Sequence, residues 1–397
     1  MNRIRTVSGA LALALASLVA FAGVADAELP ATFDEAKAEA AESGKPLLVD
    51  FFADWCGPCK AFTAASKESD ALKTSLADNV VLFKIDAEKG DGIPLARQYE
   101  VSGFPTFVLM NAEGETVDRW VGYGGPEWMI EKIDGGVSDL TTLRDKRRAF
   151  RTEPTAEMAV KLARIEAATD DYGDAIALYR RAEALDADAT YAADILEAMS
   201  GGARMGLYVN EDIVAQAKLV LADAPEPDAL LNTTFVVREI ANEDRTYVED
   251  YVPFLEAGLA VVDQASESYA SYANRVLPID HALFVEQNAD HAIELKKATY
   301  AEGWQEDPSK LNAFAWWCFE NSINLGEAEE LARKAVELSP DGRSKANVLD
   351  TLAEICNLKG DCGEAVELMR RAVAQDPDNE YFQQQLARFE ELLAKQS

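Results

Sequence analysis

Basic residues, cysteines, histidines and long apolar runs are all scarce in this chain of 397 residues. Its 38 lysines and arginines face 70 aspartates and glutamates, which gives a formal charge of −32. Charge of this sign repels nucleic-acid phosphates and anionic lipid headgroups, so we expect no nucleic acid partner and no binding to acidic membrane surfaces. The apolar content of 48% is that of a folded protein, and the length predicts more than one domain.

No internal apolar run reaches the ~20 residues that a membrane-spanning helix needs. Near the N terminus, Arg3 and Arg5 precede a short apolar stretch over residues 10–22, and residues 25–27 form a small-x-small cleavage site. This pattern predicts a signal peptide over residues 1–27 that is cut after Ala27. We therefore expect an exported, periplasmic protein without a transmembrane segment after signal removal. An uncleaved N-terminal anchor is the alternative.

Two of the five cysteines, Cys56 and Cys59, have two residues between them and lie where a strand pattern over residues 47–52 changes to a helix pattern. Export would place them in an oxidising compartment. Half of a zinc site or a small structural disulfide is the alternative, but zinc needs two more ligands. The two histidines, His281 and His291, are far away in sequence. We predict a redox-active pair, no metal, and no cofactor besides the pair itself.

The position of the two cysteines suits thiol chemistry. Cys56 comes at a helix start, where unpaired N–H groups and the positive end of the helix dipole favour a thiolate. Pro58 is tolerated in the first helical turn because its missing N–H is not needed there. Cys59, one turn further, is placed to attack a mixed disulfide on Cys56. Asp50 is anomalous, because a carboxylate within an apolar strand is costly unless it has a function.

The run Trp55-Cys56-Gly57-Pro58-Cys59-Lys60 after a strand with one acidic residue resembles the thioredoxin family. The resemblance covers residues 30–140 and implies an α/β thioredoxin-like domain. It also implies that Asp50 relays a proton to Cys59, and that Lys84 approaches Asp50. The alternative for Lys84 is a snorkelling edge residue.

The same resemblance assigns a substrate-binding surface around the cysteines. It implies a cis Phe104–Pro105 bond facing the pair, with the alternative of an ordinary turn proline. An extended substrate segment would pair with this loop by strand addition. The residues that the resemblance assigns to substrate binding are Trp55, Gly57, Pro58, Phe104, Pro105 and Gly122.

Beyond residue 153 the pattern is helical only and rich in Ala, Glu and Leu. Residues 349–377 resemble a tetratricopeptide repeat, a helix–turn–helix unit of ~34 residues, and residues 312–340 fit a second copy. We therefore expect a signal peptide (1–27), a thioredoxin-like domain (28–140), a linker (141–154) and an all-α, solenoid-like repeat domain (155–397). The basic run 144–148 predicts a solvated linker helix, with docking on acidic surface of the second domain as the alternative.

In such repeats the first helix of each pair lines a concave groove that binds a protein partner. Carrying this register over assigns Trp317, Asn347, Asp350 and Glu354 to the groove, and core packing is the alternative for Trp317. Cys356 and Cys362, on facing sides of a helix pair, are a candidate structural disulfide, with buried reduced thiols as the alternative. Cys318 has no predicted disulfide partner within the chain. It is either a buried apolar residue or available for an intermolecular disulfide.

The sequence thus predicts an exported thiol–disulfide oxidoreductase that reduces protein disulfides, since the Gly-Pro dipeptide resembles the reducing members of the family. Isomerase and oxidase activity stay open. A reductant in an oxidising compartment needs a membrane or periplasmic electron donor. The alternative is a scaffold protein in which the thioredoxin-like domain is mainly a binding module.

Overall fold

The structure is a computed structural model that describes residues 29–396. The predicted signal peptide and its cleavage site lie outside the described residues. Contacts divide the chain into two units, with the boundary between Ala189 and Thr190. No helix within residues 29–396 is both long enough and apolar enough to cross a bilayer.

The first unit is built on a four-stranded sheet in the order β2-β1-β3-β4. The central strand β1 runs parallel to β2 and antiparallel to β3, and β3 pairs antiparallel with β4. Strand β1 has the sequence LLVDFF and is almost completely buried, because apolar side chains point to both faces of the sheet. The strands are β1 (Leu47–Phe52), β2 (Val81–Asp86), β3 (Thr106–Met110) and β4 (Thr116–Val121).

Helices cover both faces of this sheet. On one face Ala36 of α1 packs with Val49, and on the other Phe62 of α2 packs with Leu48 and Phe107. The helices are α1 (Phe33–Ser43), α2 (Gly57–Glu68), α3 (Asp70–Asn79), α4 (Gly92–Gln98) and α5 (Pro126–Val137). The predicted α/β fold is therefore confirmed.

Three further helices belong to the first unit: α6 (Leu143–Thr152), α7 (Ala156–Ala167) and α8 (Tyr172–Leu185). The structure differs here from the expected solvated linker. Lys146 of α6 is only 2% exposed, and its Nζ donates to the carbonyls of Val117 in β4 (2.9 Å) and Asp139 (3.2 Å). The ammonium thus replaces water at buried carbonyls. Consequently α6 is a docked part of the first unit and not a solvated linker helix.

The second unit is entirely helical. Consecutive helices pack as helix–turn–helix pairs, of which α15–α16 and α17–α18 have the most extensive contacts. This confirms the predicted α/β domain followed by an all-α helical-repeat domain. The helices are α9 (Ala192–Ala203), α10 (Asn210–Ala222), α11 (Pro227–Glu243), α12 (Val248–Val261), α13 (Glu267–Phe284), α14 (Ala289–Ala298), α15 (Pro308–Glu320), α16 (Leu325–Leu338), α17 (Arg343–Leu358), α18 (Cys362–Gln375) and α19 (Glu380–Gln396).

Small residues let the last pairs approach closely. Ala328 and Ala335 of α16 and Ala353 of α17 are fully buried in one apolar core. Phe382 and Phe389 place one side of α19 in the same core, while Gln383 on its other side is exposed. Helix α19 thus has one side in the core and a polar outer side, as a capping helix of a repeat protein does.

Candidate active site

The two cysteines lie where β1 ends and α2 begins. Cys56 is the N-cap of α2, and its Sγ accepts a hydrogen bond from the backbone N–H of Cys59 at 3.1 Å. A disulfide joins the two residues. Pro58 lies within the first two residues of the helix, where no N–H is required. The local sequence therefore places both sulfurs at the positive end of a helix, where a thiolate is stabilised.

The surface around the pair is more open than the pair itself. Cys56 and Cys59 are each 2% exposed in this disulfide-bonded form, because Ala53, Phe52 and Phe104 pack around them. In contrast, Trp55 is 68% exposed, and Gly57 and Pro58 are exposed beside it. A protein substrate would meet these neighbours first.

The loop before β3 faces the cysteine pair. The Phe104–Pro105 peptide bond is cis, as predicted. Phe104 packs on the cysteines, and its ring meets that of Trp55 edge to face at 5.9 Å between centroids. The N–H of Gly122 donates to the carbonyl of Pro105 at 2.8 Å, with a positive φ of 90° at Gly122. The structure therefore brings four of the predicted substrate-binding residues together, with Pro105 buried beneath the others.

Asp50 and Lys84 are brought together by strand register. They are direct partners in the parallel pair β1–β2, and Lys84 Nζ donates to Asp50 Oδ2. Asp50 is 0% exposed, and its Oδ1 has no hydrogen-bond partner among the described residues. Lys84 thus approaches the buried carboxyl as the resemblance implied, and the edge alternative is not what the structure shows.

Burial raises the pKa of Asp50, and the Lys84 ammonium opposes this by favouring the carboxylate. Desolvation is the larger cause, so the net direction is upward. A carboxyl group with a raised pKa and an unpartnered oxygen is a stronger base than an ordinary aspartate.

Sequence reasoning missed two polar residues at the site. The Trp55 indole Nε1 donates to Glu88 Oε2 at 2.8 Å, which orients the exposed ring. Thr63 of α2 accepts from Lys84 Nζ at 3.0 Å and lines a cleft of about 300 Å³ together with Cys59. The spacing of Thr63, four residues after Cys59, places both on one helix face and was the available signal.

The four groove residues assigned in the second unit do not form one open surface. Asn347 is exposed, but Asp350 and Glu354 are buried. Tyr381 donates to Asp350 Oδ2 at 3.1 Å, and Arg388 bonds Glu354, so α19 covers both carboxylates. Asp350 and Glu354 are therefore contacts of the capping helix, which corrects their assignment to a free groove.

Trp317 is half-buried and packs against Ile279, Ala282 and Ala292. Lys296 Nζ lies 5.5 Å from the centre of its ring. The ring is thus largely occupied by neighbouring helices of the same unit. This placement matches the core alternative for Trp317 rather than a free groove.

The candidate structural disulfide in the second unit is not formed. Cys356 and Cys362 are buried free thiols, as is Cys318. The Cys362 thiol donates to Asn357 Oδ1 at 3.1 Å, while Cys356 Sγ lies within 4.8 Å of carboxylate oxygens of Glu329 and Glu364. The two thiols therefore have different surroundings, and the reduced alternative is the observed one.

Comparison with known proteins identifies the first part of the chain. Residues 33–134 match the family described as thioredoxin-like domain. The chloroplastic thioredoxin Y1 of Arabidopsis thaliana is 36% identical over 27% of this chain and 58% of its own length. The thioredoxin of Mycolicibacterium smegmatis is 34% identical over 28% of this chain and 96% of its own length. The chain spans only about half the length of the chloroplastic relatives Y1 and Y2.

Solved structures with similar parts have low overall scores. A structure of DsbH oxidoreductase is 23% identical, covers 33% of this chain and 95% of its own, and has a TM-score of 0.25. A tetratricopeptide repeat protein from Parabacteroides merdae is 13% identical, covers 66% and 94%, and has a TM-score of 0.36. The repeat architecture therefore rests on the helix pairs themselves. With its cysteine pair, its buried carboxyl group and a relative matched over nearly its full length, the chain belongs to the thioredoxin family.

Proposed function

We propose that this chain is an exported thiol–disulfide oxidoreductase that reduces protein disulfides through Cys56 and Cys59. The observation that carries the proposal is the placement of the pair at the start of α2, where Thr63 and Lys84 link the backbone of Cys59 to the buried Asp50 carboxyl group. The exposed surface of Trp55, Gly57 and Pro58 supports contact with a protein substrate. Relatives named thioredoxin and protein disulfide-isomerase support the reaction class.

The reaction proceeds from the reduced pair. The Cys56 thiolate attacks one sulfur of a substrate disulfide, forms a mixed disulfide and expels the other substrate sulfur as a thiolate. Cys59 then loses its proton and attacks Cys56 Sγ, which forms the Cys56–Cys59 disulfide and releases the second substrate thiolate. Two electrons pass from the enzyme dithiol to the substrate. A dithiol electron donor in the membrane or periplasm restores the reduced pair.

Asp50 is the proposed acceptor of the Cys59 proton. Its raised pKa brings its proton affinity closer to that of a thiol, so the transfer costs less than it would for an ordinary aspartate. The cleft that Cys59 and Thr63 line is the proposed route for that proton to water. Lys84 favours the carboxylate and so opposes part of the rise in the pKa of Asp50 that burial causes.

The helical-repeat unit is proposed to recruit a protein partner to the oxidoreductase. The stacked pairs α15–α16 and α17–α18 support this role, since such pairs bury a shared core and leave one face for binding. Asn347 remains an exposed candidate on α17. The identity of the partner is left to trapping experiments.

Insulin reduction tests the proposed activity. Cys56→Ser should abolish turnover, because serine cannot form the mixed disulfide, whereas Cys362→Ser should retain it. In cells that export the protein, Cys59→Ser should accumulate mixed disulfides with its protein substrates. Mass spectrometry of the trapped complexes then identifies these substrates. Full activity of Cys56→Ser would contradict the proposal.

The second candidate function is a scaffold, and the 2% exposure of both active-site sulfurs favours it. In that case the cysteine pair serves to stabilise the domain, and the repeats carry the binding. A cellular phenotype that persists in Cys56→Ser but is lost on deletion of residues 190–397 would support the scaffold. The reverse result would support the oxidoreductase.

A further inference from the structure

Thr63 lies between the buried ion pair and the resolving cysteine. Its hydroxyl donates to the backbone carbonyl of Cys59 at 2.9 Å and accepts from Lys84 Nζ at 3.0 Å. One side chain therefore joins α2, which holds the cysteines, to β2, which holds the lysine. In the proton relay described above Thr63 only lines the cleft, and its hydroxyl has no assigned role.

The ammonium of Lys84 needs such an anchor. Lysine has a long flexible side chain and a strongly hydrated head, and the Lys84 side chain is 17% exposed, so water competes for it. The ring centres of Phe62 and Phe52 lie 4.8 and 5.5 Å from Lys84 Nζ, but neither ring supplies a hydrogen-bond acceptor. Asp50 Oδ2 and Thr63 Oγ1 are the side-chain oxygens that bond it.

The direction of the two hydrogen bonds suits this task. Thr63 donates its single hydroxyl hydrogen to the backbone carbonyl of Cys59, which leaves the lone pairs of Oγ1 to accept from the Lys84 ammonium. Valine has almost the same shape and no oxygen, while serine keeps the hydroxyl. The contribution of the oxygen can therefore be separated from that of packing.

We propose that Thr63 is a positioning residue whose hydroxyl holds the Lys84 ammonium beside Asp50 and so sets how readily Asp50 exchanges a proton. The inference rests on the proposed thiol–disulfide exchange. It extends that proposal to a residue that touches neither the substrate nor the reacting sulfurs.

The groups around Asp50 determine in which direction its pKa should change when the Thr63 hydroxyl is removed. From β2 the facing group is Lys84, from β3 the residue in register is the uncharged Phe107, and α2 contributes Thr63 through its bond to Lys84. Lys84 is the charged side chain that favours the Asp50 carboxylate against burial. When the anchor is removed, the ammonium spends more time in water, and the pKa of Asp50 rises.

The test is a titration of the Asp50 carboxyl carbon by NMR in the oxidised full chain. We expect Thr63→Val to raise the pKa by about half a unit or more, and Thr63→Ser to change it by less than about 0.2 units. Lys84→Met should raise it further, and Thr63→Val should then add nothing in the double variant, because both act through one contact. Thr63→Ala, with a good helix former, repeats the test if the valine variant folds poorly.

An unchanged Asp50 titration in Thr63→Val and Thr63→Ala would overturn the inference, and so would additive effects in the double variant. The titration needs no turnover, so it stays decisive if the wild-type chain fails to reduce insulin and the proposed function is lost. If turnover is present, the alkaline shift should also appear in the pH profile of insulin reduction, with rescue by Thr63→Ser.

Discussion

Each of the two units buries an aspartate beside a cation, and the two carboxylates are satisfied differently. Asp50 in the first unit bonds Lys84 through one oxygen and leaves the other without a partner among the described residues. Asp280 in the second unit is 3% exposed and receives Arg238 on both oxygens, at 2.5 and 3.3 Å. Tyr251 donates a third bond to it at 2.9 Å.

The difference separates two uses of a buried charge. Arg238 and Tyr251 fill the acceptor positions of Asp280 and tie α11, α12 and α13 together, so this carboxylate stabilises an arrangement of helices. Asp50 keeps an unused oxygen and a raised pKa, which is costly for stability but leaves room for a proton. The fully paired Asp280 therefore supports the fold, whereas the half-paired Asp50, beside the cysteine-bearing helix, is available for chemistry.

The largest effect is expected from Arg238→Met. Asp280 would stay buried without its cation, and loss of one partner of a buried pair costs about 3–5 kcal/mol. Hydrogen exchange of peptides from residues 227–284 under increasing urea measures the loss. The matched control is Arg275→Met, an exposed arginine of α13 that lies over Tyr272, which should change stability by less than about 1 kcal/mol. Equal effects of the two variants would refute the distinction.

Lys146→Met extends the comparison to a buried cation that donates to three carbonyls and lies 3.4 Å from the Asp139 carboxylate. Removal of the ammonium leaves the carbonyls of Val117 and Asp139 without their donor, and we expect a loss of about 2–3 kcal/mol in the free energy of unfolding of the first unit. Lys161→Met is the control, because its ion pairs with Asp118 and Asp139 are long, at 3.8 and 3.6 Å. That variant should lose less than about 1 kcal/mol. A small loss in Lys146→Met would restore the interpretation of α6 as a linker.

The smallest change in the free energy of unfolding is expected from Asp50→Asn. This variant should gain stability, whereas Arg238→Met and Lys146→Met should lose it. Because the folded pKa of Asp50 is raised, the folded state binds more protons than the unfolded state above the ordinary aspartate pKa. The carboxyl therefore lowers stability as pH rises from ~3.8 through the folded pKa. Asp50→Asn should gain on the order of 1 kcal/mol at pH 7 and nothing near pH 3, in urea denaturation at both values.

Asp54→Asn provides the control for this gain, since Asp54 is exposed and pairs with the exposed Lys89. Its stability should change by less than about 0.5 kcal/mol at either pH. If the gain in the free energy of unfolding of Asp50→Asn did not depend on pH, the buried charge would not be the cause of that gain.

Local patterns were sufficient for much of the fold and the site. The apolar run of β1, the Cys-X-X-Cys spacing and the periodic helices after residue 153 are short-range signals, and the structure contains the expected elements. The cis Phe104–Pro105 bond followed from the resemblance. Long-range pairings did not follow. Lys146 reaches Val117 across 29 residues, and Arg388 covers Glu354 across 34, so no local pattern announces either contact.

By itself, the sequence determined the buried strand β1, the helical character of the chain after residue 153, and the placement of two cysteines at a helix N terminus, because periodicity and strand apolarity act over a few neighbours. Only the tertiary structure decided how fully each buried charge was paired. Pairing depends on strand register and on which helix packs over which, as Lys84 beside Asp50 and α19 over Asp350 show. The physical reason is that desolvation is a property of the assembled surroundings and not of the residue.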